Sequence, residues 1–244
     1  MAPTRLVCLP CAGASATMYL RWRRLLPAWL EVMPAELPGR GARLAEDIAT
    51  DFDALVDTLC DELAPSLAGD YVLFGHSMGA LLAYGIAVRL RAQGRELPRA
   101  LVASGSPAPS HRDPQRFAGL DSDASLIEDL RKQGGTPEEV YANAEMLRMT
   151  LDILRADYDV CRSFRLRQEA PLPLPVHVFA GRADEIALHS LLPWQQAAQP
   201  CTLDWFEGGH FFVRHDEADV LRMLQRRLQV RTTQVSGDAR PVAA

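Results

Sequence analysis

Ser77 lies in FGHSMGAL (74–81), flanked at two-residue spacing by Gly75 and Gly79. A short apolar run, DYVLFG (70–75), precedes it, and a helix-like run (77–91) follows. A serine on a strained strand-to-helix turn has its hydroxyl lifted clear of the backbone, where it can attack a carbonyl carbon. Strand and helix approach closely on either side of such a turn, and side chains at Gly75 and Gly79 would collide there. The helix also aims its N-terminal N–H groups at the site, where they favour developing negative charge. The competing reading is a serine that only caps a buried helix.

A serine hydroxyl is a weak nucleophile without a base. In the strand–serine–helix arrangement the partners follow in the order serine, acid, histidine. The chain has six histidines: His76, His111, His177, His189, His210 and His215. His76 adjoins the serine but points away from it in the turn. His177 lies inside an expected strand, and His111 and His189 sit near element ends. His210, in EGGHFF, occupies a glycine-supported loop after the last expected strand and before the last helix. It is the expected base, with His215 as runner-up at the start of that helix. Asp184, in GRADE after the run VHVFAG, is the expected acid, holding the imidazole in one tautomer. Its plain alternative is a turn aspartate; Asp204, within a strand, is the rival acid. The oxyanion donors should be the N–H of Met78 and one from the loop CAGA, Ala12 in preference to Cys11.

These residues need a frame that brings 77, 184 and 210 together. Buried strands are expected at RLVCLP (5–10), DYVLFG, ALVASGS (100–106), VHVFAG (176–181) and CTLDWF (201–206), with a shorter one in EVMPAELPGRG. Helices are expected over 15–29, from a Thr50 or Asp51 cap through Leu63, over 77–91, and from about 214 to the end of the ordered chain. In the last of these, Val220, Leu221, Leu224 and Leu228 form the inner face. Strands alternating with helices mean an α/β class with a mostly parallel sheet covered on both faces. From about 111 to 168 the pattern is helical only (122–133 and 137–160), so this insertion should cover the carboxyl edge of the sheet as a lid. Candidate linings beneath it are Met18, Phe117, Met146, Leu147, Met149 and Leu154. One domain should span 1–230; the polar stretch 231–244 has no periodicity and reads as disordered.

Composition narrows the function classes. The chain has 244 residues, 48% hydrophobic and 23% charged, with net charge −5. That is ordinary globular composition without a nucleic-acid or anionic-membrane footprint. No apolar run approaches the length of a bilayer span. Five scattered cysteines and a start, MAPTRLVCLP, without a signal-peptide pattern imply a reducing cytoplasm and free thiols. CLPC has no second cysteine pair for zinc or redox work, GRGARL lacks the third glycine of a dinucleotide fingerprint, and the arginines of LRWRRL read as a solvated face.

LPCAGAS, ELPGRGARL, FGHSMGAL, GRADE and EGGHFF occur in this order. Together they resemble the type II (external, editing) thioesterases of nonribosomal peptide and polyketide assembly lines, over about 5–230. The resemblance implies an α/β-hydrolase fold and a Ser77–His210–Asp184 site with oxyanion donors at Met78 and Ala12. It implies hydrolysis of stalled or wrongly loaded acyl groups held as thioesters on the phosphopantetheine arm of a partner carrier protein. No metal or dissociable cofactor is called for, and a monomer is expected. One departure stands out: this family often has a histidine before Ala-Gly-Gly, whereas here the loop is Cys11-Ala12-Gly13-Ala14. The alternatives are an esterase for small soluble esters, an acyltransferase or cyclase, and a non-catalytic module that docks to carrier proteins.

Overall fold

Residues Leu6 to Leu9 are fully buried, and their alternation splits them between two apolar clusters. Val7 and Leu9 join one cluster, Leu6 and Cys8 the other, as a strand covered on both faces requires. The computed structural model describes residues 2–113, 115–167 and 170–229. The expectation of disorder for 231–244 falls outside them. Among the described residues there are six strands: β1 (Thr4–Leu9), β2 (Leu30–Pro34), β3 (Tyr71–His76), β4 (Leu101–Ser104), β5 (Val176–Gly181) and β6 (Cys201–Phe206). They form one sheet in the order β2-β1-β3-β4-β5-β6, with every neighbouring pair parallel. The chain runs outward from β1 to β2, then returns to β3 on the other side of β1. That reversal opens a crevice at the carboxyl ends of β1 and β3, the usual ligand position in such sheets.

The helices are α1 (Trp22–Leu25), α2 (Phe52–Glu62), α3 (Met78–Ala92), α4 (Asp123–Gln133), α5 (Glu138–Ala142), α6 (Ala144–Ser163), α7 (Leu188–Leu191), α8 (Trp194–Ala197), α9 (Phe212–His215) and α10 (Glu217–Gln229). The Asp51 side chain caps α2 by accepting the Ala54 N–H at 2.9 Å. Such a cap contributes about 1 kcal/mol. Phe52, Leu55, Val56 and Leu59 turn inward and pack with α3 against the face bearing Val7 and Leu9. The inner face of α10 (Val220, Leu221, Leu224, Leu228) covers the opposite face, as its spacing requires.

Two expected helices are broken. The stretch 15–29 forms a 3-10 turn at Ala16–Tyr19 and the single turn α1. Tertiary packing overrides the period there: Tyr19 and Trp22 both turn onto Phe74, with ring centroids 5.7 and 4.9 Å away. The Tyr19 hydroxyl donates to the Leu9 carbonyl at 3.0 Å, and Pro27 follows soon after α1. The stretch 137–160 divides at Asn143, whose side chain accepts the N–H groups of Glu145 and Met146, each at 3.0 Å. Asparagine favours such a cap over a helix interior. The insertion between β4 and β5 is helical as expected, and Leu126, Leu130, Leu151, Leu154 and Tyr158 form its own apolar cluster.

Candidate active site

β3 delivers Ser77 and α3 leaves from it, so the serine is held at the junction. Its backbone has φ 55° and ψ −114°, and it alone among the described non-glycine residues has a positive φ. A side chain in that region costs about 1–3 kcal/mol, which the surroundings must offset. They do so by contact. The Ser77 N–H donates to the Ser104 carbonyl at 2.8 Å, tying the turn to the end of β4. A Cβ on Gly75 would lie 2.1 Å from the Gly79 carbonyl, and one on Gly79 would lie 2.1 Å from the Leu9 carbonyl oxygen. Both glycines are therefore steric requirements of the junction.

Two loops at the carboxyl ends of β5 and β6 are laced together by backbone bonds. Arg182 N–H donates to Phe206 C=O and Ala183 N–H to Gly208 C=O, both at 2.9 Å. That lacing brings Asp184 to His210, with Nδ1 2.9 Å from Asp184 Oδ2. The Asp184 side chain is 6% exposed and that of His210 17%. A carboxylate can only accept, so Nδ1 carries the proton and Nε2 keeps a free lone pair. An imidazole held this way can take a proton from a hydroxyl. Ser77 and His210 line the same cavity, and no hydrogen bond joins them in this structure. Such contacts are often long before substrate binds.

Ala12 and Met78 line the same cavity. Met78 is the first residue of α3, where an N–H has no partner inside the helix. The loop 11–14 is a tight turn closed by Ala14 N–H donating to Cys11 C=O at 3.1 Å, with Gly13 at φ 75°. The Gly13 N–H is occupied by Asp157 Oδ2 at 2.8 Å. No hydrogen bond engages the Ala12 N–H among the described residues, so the preferred candidate of the sequence remains free to donate. Burial pushes the Cys11 thiol up to about 12, so this sulfur does not compete as a nucleophile near neutrality.

The cavity measures about 960 Å³, and residues of the helical insertion contribute to its lining. Phe117, Leu130, Val140, Leu154 and Tyr158 give it an apolar wall, and its charged lining is mixed: Arg112, Arg116, Lys132 and Arg214 with Asp113, Asp184 and Glu185, Lys132 being paired to Glu185 and Arg116 to Asp129. A pocket of this size and lining suits an acyl chain with a polar stem. Of the expected linings, Phe117 and Leu154 are present; Met18, Met146, Leu147 and Met149 are not among the lining residues. Met146 and Met149 face solvent, Leu147 packs against the cluster inside the insertion, and Met18 packs on the sheet face that carries Phe74. Spacing identified the helix but not its rotation.

Residues 4–228 match the pattern of the thioesterase domain. The chain belongs to the thioesterase family. It is 32% identical to the gramicidin S biosynthesis protein GrsT of Aneurinibacillus migulanus, across 94% of this chain and 90% of that one. Its fold is similar to RedJ, a thioesterase from the prodiginine pathway of Streptomyces coelicolor, with a TM-score of 0.85 and 34% identity over 92% of this chain and 90% of RedJ. It is also similar to BorB, a type II thioesterase from the borrelidin biosynthetic cluster, with a TM-score of 0.84 and 35% identity over 93% of each chain.

Within this thioesterase the rival residues are engaged elsewhere. Asp204 takes a fork of two bonds from Arg227 on α10, at 2.9 and 2.6 Å. His215 is exposed at the end of α9 and is not among the residues lining the cavity. His177 bonds to Thr202 Oγ1 at 2.8 Å in the sheet. His76 is fully buried behind the site, 3.0 Å from Ser104 Oγ and 5.1 Å from the His210 ring. Burial holds its imidazole well below the usual histidine range, so His76 is a neutral back wall to His210. His111 and His189 line the cavity away from the Asp184 pairing. Sequence reading missed two residues that touch the loop 11–14, Arg40 and Asp157. No helix of the described residues is long and apolar enough to cross a membrane.

Proposed function

We propose that this protein is a type II thioesterase that hydrolyses acyl or aminoacyl groups from the phosphopantetheine arm of carrier proteins in an assembly line. The observation that carries this reading is the presence of a strained Ser77 and an Asp184-bonded His210 lining one cavity. Similarity to GrsT, RedJ and BorB supports this setting, since their names place them in the biosynthesis of gramicidin S, prodiginine and borrelidin, and two further similar structures, ClbQ and the type II thioesterase YbtT, are named from NRPS/PKS pathways. The proposal includes a single α/β-hydrolase domain whose helical insertion acts as a lid, a cytoplasmic monomer, and no metal or dissociable cofactor.

The reaction follows from the groups present. His210 Nε2 takes the Ser77 proton as Oγ attacks the thioester carbonyl carbon. The carbonyl π electrons move to oxygen, and the N–H groups of Met78 and Ala12 donate to that oxyanion. The oxyanion collapses, the C–S bond breaks, and His210 returns its proton to the departing thiolate. Asp184 holds the imidazole in the productive tautomer and stabilises its protonated form. Water then attacks the acyl-Ser77 carbonyl carbon with His210 again as base, the C–Oγ bond breaks as His210 returns the proton to Ser77 Oγ, and the carboxylic acid leaves. A long, thin carrier arm needs a channel, and the size of the cavity lined partly by the insertion supports that reading.

The test is mass spectrometry of carrier proteins loaded with several acyl groups, before and after incubation with enzyme. Wild type should return free phosphopantetheine thiol and carboxylic acid, and Ser77→Ala should leave the thioester intact. Hydrolysis by Ser77→Ala at the wild-type rate would refute the nucleophile. Product mass separates hydrolysis from transfer or cyclisation, and a simple ester tested in parallel separates a general esterase.

A further inference from the structure

Arg40 and Asp157 lie 117 residues apart in the sequence and meet in the interior as a two-pronged ion pair, Nη1 to Oδ2 at 2.7 Å and Nη2 to Oδ1 at 2.6 Å. Their side chains are 3% and 1% exposed. A buried pair of this kind is weak evidence for stability, because desolvation opposes the attraction. Its attachments point to another purpose. Asp157 Oδ2 also accepts the Gly13 N–H at 2.8 Å, and Arg40 Nη1 also donates to the Ala14 carbonyl at 3.1 Å. Together the two charges grip an N–H and a C=O of the turn 11–14, immediately after Ala12. The turn bond from Ala14 N–H to Cys11 C=O closes the ring. On the same face of α6, one turn before Asp157, Leu154 packs against the loop and would sit 3.4 Å from a Cβ on Gly13.

We propose that Arg40 and Asp157 are positioning residues that hold the oxyanion loop, so that α6 of the insertion sets the place of the Ala12 N–H. This deepens the thioesterase reading and rests on it. The pair touches no reacting atom. It acts by denying the loop its other conformations, since a small-residue turn with no side-chain anchors would otherwise be mobile. An oxyanion donor has to be in place before charge develops, because donors that must reorganise lose much of their effect. The pair also connects the insertion to the chemistry: movement of α6 carries Asp157, and with it the donor loop.

Two variants test this. Arg40→Lys keeps the charge but lacks the planar fork. Arg40→Met combined with Asp157→Leu removes both charges and leaves no unpaired ion in the interior, which protein cores often tolerate. Loss of a whole oxyanion donor costs about 10²–10³ in kcat, so a loosened loop should cost roughly 10- to 100-fold in kcat. KM should stay within about threefold, since ground-state binding does not use the donor. Ser77→Ala is run beside them on the same acyl-carrier protein. The proposal fails if the double variant folds with the wild-type circular dichroism spectrum and retains wild-type kcat. It fails equally if the loss lies in KM alone, or if Arg40→Lys is fully active while the double variant does not fold. An inactive Ser77→Ala beside fully active pair variants refutes only this inference; an active Ser77→Ala refutes the enzyme reading itself.

Discussion

Lowering the pH from 7 to 5 should weaken the fold through His177, which sits on β5 with its Nδ1 2.8 Å from Thr202 Oγ1. Burial first, and the Arg227 guanidinium second, lower its pKa from the ordinary 6.5 to about 4, while Asp204 pulls the other way. The native state therefore holds this imidazole neutral, and the unfolded chain takes up a proton first as the pH falls. Stability from this residue is complete above about 6.5 and declines as the pH falls toward about 4. The gap of about 2.5 corresponds to about 3 kcal/mol at 1.36 kcal/mol per pKa unit. At pH 5 the linkage expression yields a loss of about 2 kcal/mol, or roughly 4–8 °C in Tm for a chain of this size. The assay is urea unfolding followed by circular dichroism at pH 7 and pH 5, for wild type and His177→Asn. Asparagine keeps a polar atom near Thr202 and cannot titrate. Buried His76 contributes an acid loss of its own in both proteins, so the difference between their pH dependences isolates His177. Equal acid losses in the two proteins would refute the reasoning.

Other consequences can be checked with purified variants. Asp184→Asn should lower kcat about 10⁴-fold with little change in KM, because an amide N–H facing Nδ1 favours the wrong tautomer; steady-state kinetics on an acyl-carrier protein decides it. Asp204→Asn should cost about 1–3 kcal/mol by loosening Arg227, yet leave kcat within about threefold, which unfolding and kinetic measurements separate. Gly79→Ala should give little folded protein, since its Cβ would lie 2.1 Å from the Leu9 carbonyl oxygen; soluble yield and circular dichroism report this. Iodoacetamide at pH 8 should alkylate partly exposed Cys201 before buried Cys11, whose thiol is pushed up to about 12; peptide mass mapping over time checks the order.

Much of this protein was legible because it is written locally. The α2 helix shows its period and its Asp51 cap in one short stretch, and each buried strand is a compact apolar run. The positions of Ser77, Asp184 and His210 just after expected strands were legible for the same reason, since strand ends in a parallel sheet share one edge. The broken helix at 15–29 was not legible. Its period is helical, and the break depends on Phe74, far along the chain, against which Tyr19 and Trp22 pack. The rotation of α6 was hidden too, so Met146 and Met149 looked like wall residues but face solvent.

The sequence by itself determined the element order, the glycine-flanked serine turn and the residue types able to supply an acid and a base. Those depend on side-chain period and on the steric needs of consecutive residues. Only the tertiary structure joined the expected acid Asp184 to His210 while giving Asp204 to Arg227, and brought Arg40 to Asp157 beside the turn 11–14. Such contacts join residues that no local pattern links. They exist because a buried charge must find its partner wherever the fold has brought one.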